Sequence, residues 1–172
     1  LRIWNICLII QIHQRKSRFD YSIIFSSEFN FQISHGHRYV GGFVGSGATE
    51  AAWIDQQITQ WVDSITSLSH VARRYPQTAY AGLAHSLQAE WQYLQRVTPN
   101  IDQAFTPIEE AISQLFLPAL LDSSIDEVAL LRPLLSLPVR LGGLGIPDPT
   151  TTGKTCFSAS SESTSLLQDS LI

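Results

Sequence analysis

Residues 49–76 read TEAAWIDQQITQWVDSITSLSHVARRYP, and the apolar positions Ile54, Ile58, Trp61, Ile65, Leu68 and Ala72 recur at steps of four, three, four, three and four. That spacing returns to one side of a 3.6-residue helix and makes a single apolar stripe. The predicted helix is about 25 residues long, close to 40 Å at a rise of 1.5 Å per residue. It ends at Tyr75-Pro76, because the residue before a proline avoids the helical region.

Pro76 suits the first turn of a following helix, which carries Tyr80, Leu83, Leu87, Trp91 and Leu94 on one face and runs out near Thr98-Pro99. The pair predicts an antiparallel helical hairpin. A third helix is predicted from Thr106-Pro107-Ile108-Glu109: Thr106 caps free backbone N–H groups, Glu109 reaches back to the cap, and Pro107 sits where no donor is lost. Ser124-Ile125-Asp126-Glu127 repeats this logic ahead of Val128 to Leu131, with Pro118 and Pro133 expected to limit the helices on either side. Phe157, Thr164, Leu167 and Leu171 allow a weaker final helix in a Ser/Thr-rich tail. No fixed period is visible, so a solenoid is not supported.

Upstream, Tyr21, Ile23 and Phe25, then Phe29, Phe31 and Ile33, alternate with polar neighbours, which predicts short strands or a hairpin. Gly36 to Gly47 holds five glycines, read as tight turning and close backbone approach, with Gly42 to Gly47 as a strand-to-helix turn. Four of the eight prolines fall between Pro133 and Pro149, marking an extended, turn-rich stretch. The expected fold class is mainly α: an irregular helical bundle with a short N-terminal β hairpin or β segment. Its organisation is a segment 1–22, a β/glycine-rich segment 23–47, and a helical domain 48–172 containing the Pro/Gly stretch 133–149.

The chain has 172 residues, 44% of them hydrophobic, enough for one domain with a real core. A net charge of -4 gives no overall pull toward phosphate, so a nucleic-acid contact has to use a local basic cluster. Cys7 and Cys156 lie near opposite ends and suggest neither a disulfide framework nor a zinc site, which fits a reducing compartment. The apolar run Ile3 to Ile12 is too short to span a bilayer, and no small-residue cleavage pattern follows it. Cytoplasm or nucleus is therefore expected over secretion, and no membrane partner. The chain starts at Leu1 and lacks methionine, which suggests a piece of a longer product.

No catalytic constellation stands out. Gly153-Lys154-Thr155 lacks the glycine a phosphate loop needs five residues earlier, where Asp148 stands. His35 and His37 have no third ligand nearby, and His70 and His85 have no nucleophile. The carboxylate pairs Glu109-Glu110 and Asp126-Glu127 fall in first helical turns, where the helix dipole favours them. Arg73-Arg74 is the densest basic spot of the helical block, with Arg96 and Arg140 elsewhere; a helix C-terminus favours the pair even without nucleic acid. Trp61 and Trp91 read as core, while Trp53 and Tyr93 remain open as base-stacking groups.

The segment Ile33-Ser34-His35-Gly36-His37-Arg38-Tyr39-Val40-Gly41-Gly42-Phe43-Val44-Gly45-Ser46 resembles a stretch of reverse transcriptases of eukaryotic retroelements that follows the catalytic palm. The resemblance continues through Trp61-Val62, Tyr75 to Leu83, Trp91 to Arg96 and Leu137 to Ile146, and covers the chain from about Ile23 onward. In that family the aspartates that hold two Mg²⁺ ions lie upstream, and this chain contains no Asp-Asp pair. The resemblance therefore implies a fragment of an RNA-directed DNA polymerase: a primer-contacting strand region at Arg38 to Gly42, followed by thumb-like or connecting helices. It implies no catalytic residue, no metal ligand and no cofactor here, with Mg²⁺ belonging only to the intact family member. Arg38, Tyr39, Gly41, Gly42, Arg73, Arg74 and Arg96 are the implied contacts to an RNA/DNA primer-template, and the palm domain is the implied protein partner. The alternative is a helical protein–protein interaction module without a nucleic-acid role, in which the stripe from Trp53 to Ala72 meets a partner helix.

Overall fold

A computed structural model describes residues 36–45 and 47–171. The strands expected at 21–33, the segment 1–22, Cys7 and His35 lie outside the described residues. The chain divides into two compact units, 1–51 and 52–172. The fold is mainly α, with a short two-stranded antiparallel hairpin toward the N-terminus.

In the first unit, strands β1 (Gly36–Tyr39) and β2 (Gly42–Gly45) pair in the register Gly36↔Gly45, His37↔Val44, Arg38↔Phe43, Tyr39↔Gly42. The hairpin thus occupies the glycine tract itself, and Gly42 to Gly45 is strand rather than turn. A Cβ at Gly36 would run into the Phe43 ring, so glycine there lets the ring lie across the neighbouring strand.

Helix α1 (Gly47–Ala72) buries Ile54, Ile58, Trp61, Ile65 and Ala72 of the predicted stripe, while its sixth member, Leu68, is half-buried. Pro76 opens α2 (Pro76–Gly82), which continues through a π turn (Leu83–Leu87) into α3 (Gln88–Val97). Backbone angles stay right-handed through Gly82, Leu83, Leu87 and Gln88, so this is one rod with a wide turn in it. The Trp61 indole donates to Glu90 Oε2 at 2.9 Å, and a Cβ on Gly82 would sit 3.2 Å from Leu68. Residues facing each other across the two rods therefore sum to about 150, the signature of an antiparallel helical hairpin. At its centre Trp61 meets Trp91 edge-on, at 6.4 Å and 70°, and stacks on Phe105 at 6.3 Å and 13°. Rings buried this deeply each contribute on the order of 3 kcal/mol.

A 3₁₀ turn (Asp102–Phe105) leads into α4 (Thr106–Ala111), a second π turn (Ile112–Phe116) and α5 (Leu117–Leu121). The capping box expected at Thr106 does not form. The cap residue of α4 is Phe105, the Thr106 hydroxyl donates to the Gln103 carbonyl at 2.9 Å, and Glu109 is held elsewhere. At Ser124 the box does form: Ser124 Oγ accepts from the Glu127 N–H at 3.3 Å, and Glu127 accepts from the Ser124 N–H at 2.9 Å.

Neither Pro118 nor Pro133 limits a helix, contrary to expectation. Pro118 lies just past the π turn in α5, where the carbonyl ladder has already left α register and accommodates a residue without an N–H. Pro133 lies inside α6 (Ile125–Leu135); the carbonyl four residues back belongs to exposed Ala129, so the lost donor leaves no buried group without a partner. The non-helical stretch consequently begins at Ser136 rather than at Pro133, and includes a 3₁₀ turn (Val139–Leu141). The last helix, α7 (Pro149–Leu171), starts earlier than Phe157. Asp148 caps it, accepting from the Thr150 N–H at 2.8 Å and hydroxyl at 2.6 Å.

Candidate nucleic-acid interface

Val40 and Gly41 form the two-residue turn of the hairpin, with φ of 48° and 85°. A turn with both central residues at positive φ matches the right-handed twist of the strands. Gly41 takes that conformation freely, whereas Val40 is a β-branched residue held in the left-handed region, a strain on the order of 1–3 kcal/mol. Val40 is 72% exposed, Gly41 and Arg38 are exposed, and Gly42 is buried. Arg38 and Phe43 are cross-strand partners and share one face of the ladder; His37 and Val44 share the other. The backbone of Tyr39 pairs with Gly42 beside the turn. The hairpin therefore gathers Arg38, Tyr39, Gly41 and Gly42 within one turn and its flanking pairs.

The remaining three predicted contacts are not gathered. Arg73 and Arg74 are exposed in the turn that closes α1, where Arg74 and Tyr75 each donate a backbone N–H to the Val71 carbonyl. The Arg74 guanidinium lies 5.4 Å over the Tyr75 ring, a cation–π contact that gives it a partner within the protein. Arg96 is exposed in the last turn of α3. By the register of the helical hairpin it stands opposite residues 54–55, roughly 28 Å along the axis from Arg73 at 1.5 Å per residue. Arg73 and Arg96 thus mark opposite ends of one rod pair and cannot grip the same phosphate.

Among the described residues no group of three or more His, Cys, Asp or Glu is placed to hold a metal ion. No helix among them is long and apolar enough to cross a membrane. Gly153-Lys154-Thr155 lies within the first turns of α7, where the Lys154 N–H donates to Asp102 Oδ1 at 3.1 Å; it is a helix-packing contact and no phosphate loop.

Sequence reasoning missed the polar clamp around the second glycine segment. The Leu144 carbonyl accepts from the Tyr80 hydroxyl at 2.7 Å, Gly145 from Gln88 Nε2 at 3.1 Å, and Ile146 from Arg132 at 2.7 Å. Gln95 Nε2 completes the series on the Pro149 carbonyl at 2.7 Å. Arg132 also grips Glu109 with two bonds of 2.6 Å, the two side chains being 13% and 17% exposed. A planar fork facing a carboxylate is the strongest polar pair available to a protein interior. The legible signal was the spacing of Tyr80, Gln88 and Gln95, two helical turns apart along one rod. Gly143 fits only as glycine, because a Cβ there would press on the Leu137 and Leu134 carbonyls.

The chain matches no protein-family model, no curated protein and no solved structure.

Proposed function

We propose that this chain is the post-palm portion of a retroelement reverse transcriptase, a primer-contacting hairpin followed by thumb-like helices, without polymerase activity by itself. The observation that carries the reading is the Val40–Gly41 turn: an exposed elbow beside exposed Arg38, within one of the segments that carry the resemblance. At Gly41, which carries no side chain, a sugar–phosphate strand can approach the main chain, and Arg38 supplies the charge that holds it. Arg73, Arg74 and Arg96 add weaker, separated phosphate contacts. On this reading the role is to position a primer-template for a catalytic centre that a palm domain supplies.

The helical-module alternative loses its first candidate surface, since Trp61 and Ile65 are buried within the chain's own helical unit.

The test is fluorescence anisotropy of the chain with a labelled RNA/DNA primer-template hybrid at two or more salt concentrations. Four phosphate contacts predict a log–log salt slope of about -3 to -4, and Arg38→Ala should flatten it by about one. No binding at the lowest salt, or a slope untouched by Arg38→Ala, would reject the reading.

A further inference from the structure

The outward face of α6 is apolar. Val128 and Leu135 face the core, and the opposite side presents Leu130, 83% exposed, with Leu131, Leu134, Ala129 and Pro133. The surface does not stop with the helix. The Leu137 N–H donates to the Leu134 carbonyl at 3.1 Å, so Leu137 follows directly, and the next turn adds Val139 and Leu141, 66% and 59% exposed. Together these side chains expose on the order of 550 Å² of aliphatic surface, the upper end of the largest patch on a typical monomer. That is about two thirds of the ~800 Å² each partner contributes to an interface of standard size. Backbone bonds tie down the loop end of the patch: the Leu141 N–H donates to the Pro138 carbonyl at 2.8 Å and the Gly145 N–H to the Leu137 carbonyl at 2.8 Å, which lowers the ordering cost of binding.

The charges at the two ends differ in sign. Asp126 and Glu127 stand at the start of the patch and Arg140 at its far end. Among the described residues neither Asp126 nor Arg140 is in an ion pair. Laid antiparallel on itself, the patch brings the acidic end of one copy onto the basic end of the other; laid parallel, it opposes like charges. Self-complementarity of this kind is what a two-fold interface requires.

We propose that this face, from Asp126 to Leu141, is occupied by the same face of a second copy of the chain, antiparallel about a two-fold axis near Leu131. The proposal does not rest on the polymerase reading. It is tested on the full chain by sedimentation equilibrium between about 1 and about 200 µM, a range that brackets interfaces of this area. The expected result is a mass rising to twice that of the chain. Leu130→Asp and Leu141→Asp, both at exposed sites, should each weaken dimerisation by at least about tenfold with unchanged far-ultraviolet circular dichroism. Arg140→Glu and Asp126→Lys should each weaken it, and their combination should restore it. A chain that stays monomeric at every concentration leaves the face to a different partner and overturns the proposal. So does a dimer insensitive to Leu130→Asp and Leu141→Asp, or single charge reversals that the double variant fails to rescue.

Discussion

In the hairpin Gly36–Gly45 the backbone polar groups pair with one another across a ladder, whereas in the stretch Leu137–Pro149 carbonyls are taken by Tyr80, Gln88, Arg132 and Gln95 from other elements. Both stretches are rich in glycine and aliphatic residues, and each carries one arginine. The difference lies in where the hydrogen bonds go, since every buried N–H and C=O must find a partner. A self-paired ladder of two strands is a local structure of marginal strength. A loop held by two helical rods is part of the core, and disturbing it disturbs the helices as well.

The sharpest way to break this contrast is Gly143→Ala. The added Cβ would press on the Leu134 and Leu137 carbonyls, and the expected loss is about 3 kcal/mol, the upper end for overpacking. Chemical denaturation followed by circular dichroism should show it in the melting of the whole helical unit; a loss confined to the loop would mean that the clamp does not couple the two.

Next in size is Arg132→Ala. It leaves the Glu109 carboxylate in a largely buried position and the Ile146 carbonyl without its donor, at a cost of about 2–3 kcal/mol after allowance for partial exposure. Glu109→Gln in the same background should recover part of it, a coupling measured by a double-mutant cycle. Purely additive losses would show that the pair does not act as a unit.

The smallest effect belongs to the hairpin. Val40→Asn places a residue tolerant of positive φ in the turn and should relieve about 1 kcal/mol of strain. Amide exchange of the ladder should slow about fivefold while the melting of the helical unit stays put; a shift of the global transition would contradict the local character of the ladder.

Sequence reasoning reached the elements whose signals are local. The stripe from Ile54 to Ala72, the Pro76 start and the Ser124 box each depend on residues within a few positions of one another. It failed at Thr106 because Glu109 has two possible partners, the cap three residues away and Arg132 twenty-three residues away, and pattern shows only the first. Periodicity placed strands only at 21–33, and the strand region at Arg38 to Gly42 came from the resemblance alone, since a ladder built on Gly36, Gly42 and Gly45 has no alternation of large side chains to read. For the interface, the arginines were legible as charges. Their separation depends on the register of two helices, which contacts such as Trp61–Glu90 and Leu68–Gly82 reveal.

The π turns at Leu83–Leu87 and Ile112–Phe116 have a consequence for how such a chain tolerates length changes. A wide turn is one surplus residue looped into an otherwise regular rod. Removing a residue such as Ala84 or Ser113 would convert it into an ordinary turn and leave every downstream side chain on its original face. The same deletion elsewhere in the rod would rotate everything beyond it by about 100°. The described residues therefore include two places where a single codon can be lost in frame without scrambling the core.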